Sequence, residues 1–405
     1  MAHTTQNSPA EVEIEKLVYG GDGLARLNGQ VVLTPYVLPG EKISLTPERI
    51  KAGLLKGTRV QILQPSAERI EPRCEYFMAC GGCHLQQAGY DFQLAQKQSI
   101  LRETLRRIAG VDHSEDIAVI RGEPWAYRNR VQLHFKAGTC GFHKAGSHAI
   151  QGVSHCEIAA PLLNEAIGKI RQAAKKQEWP DFLRSLELFT NGAEIQVNVL
   201  ESNRPVAARF FTWLKELIPA VAAGAIAYEA AGERFRISGG SFFQTNRFLI
   251  DPLVNEVLGE ERGEEAVDLY AGVGLFTLPM AKRFQRVQGV ERGGTALRDL
   301  EFNASKASLS NVTAHRALAE EFLQQMQAAP EWIVADPPRA GLGSEATTEL
   351  LRLKPRRLTI VSCDPTTLAR DLKKLLAGGF RIGRMSLVDL FPQTYHFETV
   401  VRLDG

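Results

Sequence analysis

No stretch of this 405-residue chain is apolar for long enough to cross a bilayer. The longest, residues 217–228, is short and rich in alanine, whereas a spanning helix needs about 20 apolar residues. The first ten residues are polar and hold no apolar segment, so we expect no secretory signal and a cytoplasmic, reducing environment. An excess of one charge is also missing: 48 Lys and Arg stand against 46 Asp and Glu. Any surface for a polyanion must therefore be local. Residues 125–151 contain no acidic side chain, while Arg128, Arg130, Lys136 and Lys144 lie among aromatic residues. Cations interleaved with aromatics suit single-stranded RNA, which offers phosphates to attract and bases to stack. A basic sheet face with no partner has the same composition.

Cysteine is scarce, with six in the chain. In a reducing compartment, metal binding or catalysis explains them better than disulfides. Cys74, Cys80 and Cys83 stand close together, with Cys156 far downstream. Gly81 and Gly82 let the backbone turn tightly enough for Cys80 and Cys83 to reach one centre, and soft thiolates at this spacing suit iron–sulfur or zinc. Structural zinc more often uses two Cys-x-x-Cys knuckles, and here there is one. Cys140 reads as structural. Cys363 follows the apolar run 358–361, which reads as a buried strand. After it, Asp364 is a good N-cap, Pro365 suits the first helical position, and Leu368, Leu372, Leu375 and Leu376 recur at helical spacing until Gly378 and Gly379. A cysteine between a strand end and a helix amino terminus is expected to favour the thiolate.

The length suggests two or three domains. Residues 11–64 alternate short β-branched runs with Gly and Pro turns, which predicts a small β-barrel. Residues 90–109 read as one helix; helices at 162–177 and 204–218 and strands at 184–190 and 193–200 predict an α/β central region. From Ser241 onward the order is that of a doubly wound sheet. A strand ending at Tyr270 leads into Gly272-Val273-Gly274, a second strand ends at Glu291, and a third delivers Asp336-Pro337-Pro338-Arg339. An acidic residue at Glu291 suits the ribose hydroxyls of an adenosine cofactor. The full dinucleotide fingerprint is absent, which favours S-adenosylmethionine over NAD.

These motifs together resemble the RNA uracil-5-methyltransferases. Ser362-Cys363-Asp364-Pro365, followed by Thr367 to Asp371, is similar to the family's nucleophile motif, although Asn is usual where Asp364 stands. Ser241-Phe242-Phe243-Gln244-Thr245-Asn246 and the segment from Asp389 to Glu398 resemble two further signatures, and Arg339 after Asp336-Pro337-Pro338 follows the uracil-5 pattern. The cysteine spacing is similar to that of the 23S ribosomal RNA branch, the RumA/RlmD type, and the amino-terminal segment resembles a TRAM module. The resemblance implies a TRAM-like barrel at 1–66, a central RNA-contacting domain at 67–236 with its helix near 90–110 against the catalytic domain, and a Rossmann-like class I methyltransferase domain at 237–405. It implies Cys363 as nucleophile and Glu398 as general base. Gln244, Tyr270, Glu291 and Asp336 would line S-adenosyl-L-methionine, with Phe242 against the target base. Cys74, Cys80, Cys83 and Cys156 would hold a [4Fe-4S] cluster. The implied substrate is a uridine of 23S ribosomal RNA, handled by a monomer without membrane or obligate protein partner. Two other readings stand beside it: a tRNA uracil-5-methyltransferase, or a non-catalytic iron–sulfur RNA-binding protein. Cytosine-5 methylation usually employs two active-site cysteines, and only Cys363 follows Cys156.

Overall fold

The computed structural model describes residues 8–113 and 116–405, so the polar start at 1–7 lies outside the described residues. The chain forms two compact units. One holds the chain up to Leu101 together with His143–Gln151 and Phe391–His396; the other holds Arg102–Phe142, Gly152–Leu390 and Phe397–Gly405.

In the first unit, alternation of apolar and polar residues produces a six-stranded sheet in the order Ala10–Glu13, Lys42–Lys51, Leu54–Gln64, Gln30–Thr34, Gly23–Leu27, Lys16–Leu17. The outermost strands are two halves of one stretch, broken for two residues, that pairs with Lys42–Lys51 on one side and Gly23–Leu27 on the other. That shared stretch brings the two sides of the sheet together, an arrangement that suits a small β-barrel. Val12, Ile14, Ala25, Val32, Val37, Ile43, Leu45 and Leu55 fill its interior. Glu41 is buried there. Burial alone would raise its carboxyl pKa, but Arg69 and the N–H groups of Leu38 and Ser66 donate to it and bring it below the usual range.

The same unit carries the cysteine loop. Cys74 N–H donates to Gln86 Oε1 at 3.1 Å, and Cys80 N–H to the Tyr76 carbonyl at 2.8 Å. Gly81 N–H reaches the His143 carbonyl at 2.9 Å, and Gly82 N–H points at Cys80 Sγ at 3.4 Å. The helix that follows is α-helical over Tyr90–Thr104.

In the second unit a π-helical turn, Leu105–Ala109, ends at left-handed Gly110 and packs against the helix Pro365–Ala377. Arg130–Lys136, Leu183–Thr190 and Ile195–Ser202 form an antiparallel sheet, with Thr139–His143 beside the first. The helix Pro161–Ala173 covers it. That helix is shorter at its end than its sequence pattern suggests, stopping before the polar run Lys175, Lys176, Gln177. Tyr127 is fully buried, and Arg130 pairs with Glu187 at 2.6 Å and lies over the Phe189 ring at 4.4 Å. For these two residues the mixture of aromatics and cations is internal packing rather than an open RNA face.

The larger sheet has eight strands in the order Val312–His315, Phe284–Val290, Gly263–Leu269, Trp332–Ala335, Arg357–Ser362, Glu398–Asp404, Arg381–Val388, Ala118–Ile120. The first five are parallel and Glu398–Asp404 runs against them. Near-continuous apolar runs such as Trp332-Ile333-Val334-Ala335 are buried throughout, as strands covered by helices on both faces must be.

Candidate active site

The strand register fixes which residues meet at the carboxyl edge. Leu269 is level with Val290 on one side and Ala335 on the other, and Ala335 is level with Ile360. Tyr270, Glu291 and Asp336 therefore stand together one residue beyond the strand ends, at the switch point where open α/β sheets bind ligands. Ser362 is level with Thr399 across the antiparallel pair. One step further, Cys363 faces Glu398. Cys363 is at this edge because its own strand is parallel to its neighbours, and Glu398 because the last strand runs against them.

Local sequence holds each group in position. Asp364 caps the helix, its Oδ1 accepting from Thr366 N at 2.8 Å and Thr367 N at 3.2 Å. The residue that departs from the family pattern is thus a working cap. Thr367 Oγ1 and Arg370 Nη2 hold the Arg339 and Ala340 carbonyls at 3.2 and 2.7 Å, and Asp371 accepts from Leu342 N at 2.8 Å. Gly341 has a φ of 78°, and a Cβ there would lie 2.5 Å from Asp371 Oδ2, so the Pro-Pro-Arg loop can fold onto the helix only around glycine. Gln244 Nε2 reaches Asp336 Oδ2 at 3.3 Å. Behind Gln244, Asn129 Nδ2 donates to its carbonyl at 3.0 Å. Glu291 accepts from Gly272 N at 3.0 Å and Gly293 N at 2.5 Å, which ties it to the glycine turn. Tyr270 adopts a φ of 63°, a costly conformation for a bulky residue and one found mostly at functional sites. Phe243 is buried against Tyr228 and Phe235, whereas Phe242 beside it is 62% exposed.

Three site residues escaped the sequence reading. Asp299, on the helix Gly294–Lys306, accepts from Ser238 and Ser241 at 2.7–2.8 Å. Asn303, one turn on, joins the Arg236 backbone to the Val273 carbonyl. One helix face thus supports both the Phe-Phe-Gln loop and the glycine turn. The third is Asp268, fully buried, which accepts from Thr277 Oγ1 at 2.5 Å through Oδ2. Its Oδ1 is buried and lacks a hydrogen-bond partner among the described residues. An acid inside the apolar run Ala266-Val267-Asp268-Leu269 was the available signal.

The electrostatics overturn one expectation. The Cys363 thiol is pushed up to about 12, by burial first and then by the nearby carboxyl groups of Glu398 and Asp336, with Arg339 opposing them. Burial and the two carboxyl groups thus work against the thiolate form that a helix terminus favours. Glu398 is raised well above an ordinary carboxyl by burial and by Asp336, again against Arg339. Asp336, although partly open to solvent, is raised by desolvation of its carboxyl group. Asp268 rises to about 7, chiefly from burial. Such a ring of reluctant acids fits a cationic guest, because a positive charge among them favours every ionised form. The glycine turn, the acid at Glu291 and the unpartnered Asp268 oxygen accordingly suit S-adenosylmethionine, whose sulfonium and ammonium groups are positive.

Residues 226–405 match the family model described as tRNA (Uracil-5-)-methyltransferase. The 23S rRNA (uracil(1939)-C(5))-methyltransferase RlmD of Vibrio parahaemolyticus is 32% identical over 421 residues, spanning 96% of this chain and 94% of its own. The chain belongs to the RNA (uracil-C5)-methyltransferase family. This uracil-C5-methyltransferase is also 30% identical over 433 residues to an uncharacterized RNA methyltransferase of Aquifex aeolicus, covering 98% of this chain and 99% of the relative. Its fold matches the tRNA (uracil-54, C5)-methyltransferase of Pyrococcus abyssi, solved with S-adenosyl-L-homocysteine, at a TM-score of 0.77 and 25% identity. That likeness spans 97% of this chain and all of the other. The uracil-C5-methyltransferase thus uses S-adenosylmethionine. Among its described residues no helix is long and apolar enough to cross a membrane.

Proposed function

We propose that the protein methylates C5 of a uridine in 23S ribosomal RNA through a covalent adduct with Cys363. The observation that carries this reading is the facing of Cys363 and Glu398 across adjacent antiparallel strand ends, beside Asp336. C5 of uracil is a poor nucleophile, and addition of a thiolate to C6 gives it enolate character. The Cys363 thiol first gives up its proton to solvent, which a positive charge beside the carboxyl groups favours, and the Sγ–C6 bond then forms. S-adenosylmethionine, when bound, would supply the electrophilic methyl group that C5 takes, its sulfur keeping the electron pair of the broken S–CH3 bond as S-adenosylhomocysteine leaves. Glu398 then removes the C5 proton, the C6–Sγ bond breaks, and thiolate and methylated uracil separate. Its raised pKa suits Glu398 to accept that proton. Gln244, Tyr270, Glu291, Asp268 and Asp336 would hold the cofactor, and exposed Phe242 would stack on a uracil turned out of its helix. The barrel is read as the TRAM-like RNA-binding module.

The ribosomal substrate is supported by the Vibrio relative; the tRNA reading has the family model and the Pyrococcus neighbour behind it. Purified protein incubated with labelled S-adenosylmethionine should methylate deproteinised 23S RNA, the label mapping to one uridine. Label entering tRNA alone would reverse the assignment, and label in neither would support the non-catalytic reading.

A [4Fe-4S] cluster on Cys74, Cys80, Cys83 and Cys156 completes the proposal. Its support is the cysteine spacing and the N–H directed at Cys80 Sγ. Cys74, Cys80 and Cys83 belong to the first unit and Cys156 to the second. Among the described residues no three His, Cys, Asp or Glu side chains are grouped to hold a metal ion. Protein purified without oxygen is expected to contain iron and sulfide in equal amounts. Stoichiometric zinc without iron would refute the cluster.

A further inference from the structure

Three segments far apart in sequence meet in the first unit around one turn, Phe391–His396. At its centre Gln393 has a φ of 67°, strained for any residue but glycine. Its carbonyl accepts from His84 N at 2.8 Å and Leu85 N at 3.0 Å, immediately after Cys83. Its own N–H donates to Gln93 Oε1 at 3.0 Å, and its Oε1 accepts from Gln93 Nε2 at 3.0 Å. Gln93 Nε2 also lies 3.0 Å from the Leu85 carbonyl and 2.9 Å from that of Ala88. Four residues along, and so on the same helix face, Lys97 is fully buried and donates Nζ to the Phe391 carbonyl at 3.1 Å. A buried lysine held by a backbone carbonyl is an expensive way to hold a turn that has no further role.

We propose that Gln93 and Lys97 are positioning residues for Glu398. The turn they fix ends two residues before Glu398, the first residue of the strand Glu398–Asp404. Glu398 is buried, and its Oε2 has no hydrogen-bond partner among the described residues. The placement of this carboxylate therefore depends on its backbone. A general base works only within about 2.6–3.2 Å of its proton, and a slip of about 1 Å can cost on the order of a hundredfold. The inference rests on Glu398 being the base that removes the C5 proton.

The test separates two steps in the full-length protein. RNA carrying tritium at uridine C5 is mixed with carbon-labelled S-adenosylmethionine, and methyl transfer and tritium release are followed through a single turnover. In Gln93→Leu, and independently in Lys97→Met, methyl transfer should persist while tritium release slows on the order of ten- to a hundredfold. Methylated protein–RNA adduct should accumulate on denaturing gels. Gln93→Asn serves in place of Gln93→Leu if the latter does not fold. Glu41→Gln, a destabilising change in the barrel of the same unit, should leave the two rates in step. Equal slowing of both steps in the Gln93 and Lys97 variants, or tritium release that keeps pace with methyl transfer, would overturn the proposal. A wild type that transfers methyl without ever forming adduct would instead overturn the covalent reading, and this inference with it.

Discussion

Cys363→Ala should form neither adduct nor methylated RNA, whereas Glu398→Gln should form an adduct that carries the methyl group and persists. The first variant lacks the thiolate that activates C5, and loss of a covalent nucleophile costs on the order of 10⁴–10⁶ in rate. The second lacks the proton acceptor, typically a loss of about 10²–10⁴, but at the elimination step alone. The site adds a consequence of its own. Glu398 is one of the two carboxyl groups that raise the Cys363 thiol. Glu398→Gln should therefore lower the Cys363 pKa from about 12, and alkylation of Cys363, measured against Cys363→Ala as background, should speed up in the range of pH 7–9. An unchanged alkylation rate would show that the two side chains are not electrostatically linked, and normal turnover by Glu398→Gln would remove it from the mechanism.

Asp268→Asn should flatten the dependence of stability on pH while weakening cofactor binding. The folded pKa of Asp268 is raised, to about 7 from 3.8, so its contribution is fully present below the unfolded value and is lost as pH rises through the folded one. Between about pH 4 and 7 the unfolded chain gives up a proton that the folded chain keeps, which costs as much as about 4 kcal/mol at about 1.4 kcal/mol per unit. The Asn variant, isosteric and neutral, escapes that cost. Its melting temperature without cofactor should fall less than the wild type's over this window. It also loses the charge that Asp268 offers to a cation, worth about 1.5–3 kcal/mol for a charged hydrogen bond. Titration with S-adenosylmethionine at pH 7.5 should show that loss. Parallel melting curves and equal affinities in the two proteins would reject the role of Asp268.

Much of the catalytic edge was legible because strand ends carry their chemistry in contiguous words. Asp336-Pro337-Pro338-Arg339 and Ser362-Cys363-Asp364-Pro365 each join an apolar run to a turn, and the structure places both words at one edge. Supporting residues were not legible. Asp299 and Asn303 read as ordinary polar positions on a helix, and only the fold shows them holding two loops at once. The Cys363 thiol misled for a related reason: a helix terminus is visible in sequence, but the carboxyl groups around it come from strands 27 and 35 residues away. Arg130 misled too, since a cation beside aromatics looks the same whether it waits for RNA or stacks inside its own domain.

The turn at Phe391–His396 also bears on how the chain acquires its shape. Gln93 finds its partner 300 positions later and Lys97 its acceptor 294 positions later. Contacts of such separation form late and slow folding, because a long loop must close before they contribute. The barrel at residues 10–64 draws only on local sequence and can assemble while the ribosome is still translating the rest. The helix Tyr90–Thr104 cannot finish with it, since the carbonyl that receives Lys97 is made 294 residues after Lys97 itself. Until then its most buried cation faces water or a chaperone. The first unit is thus begun with its barrel and sealed only when a segment some three hundred positions downstream has joined it.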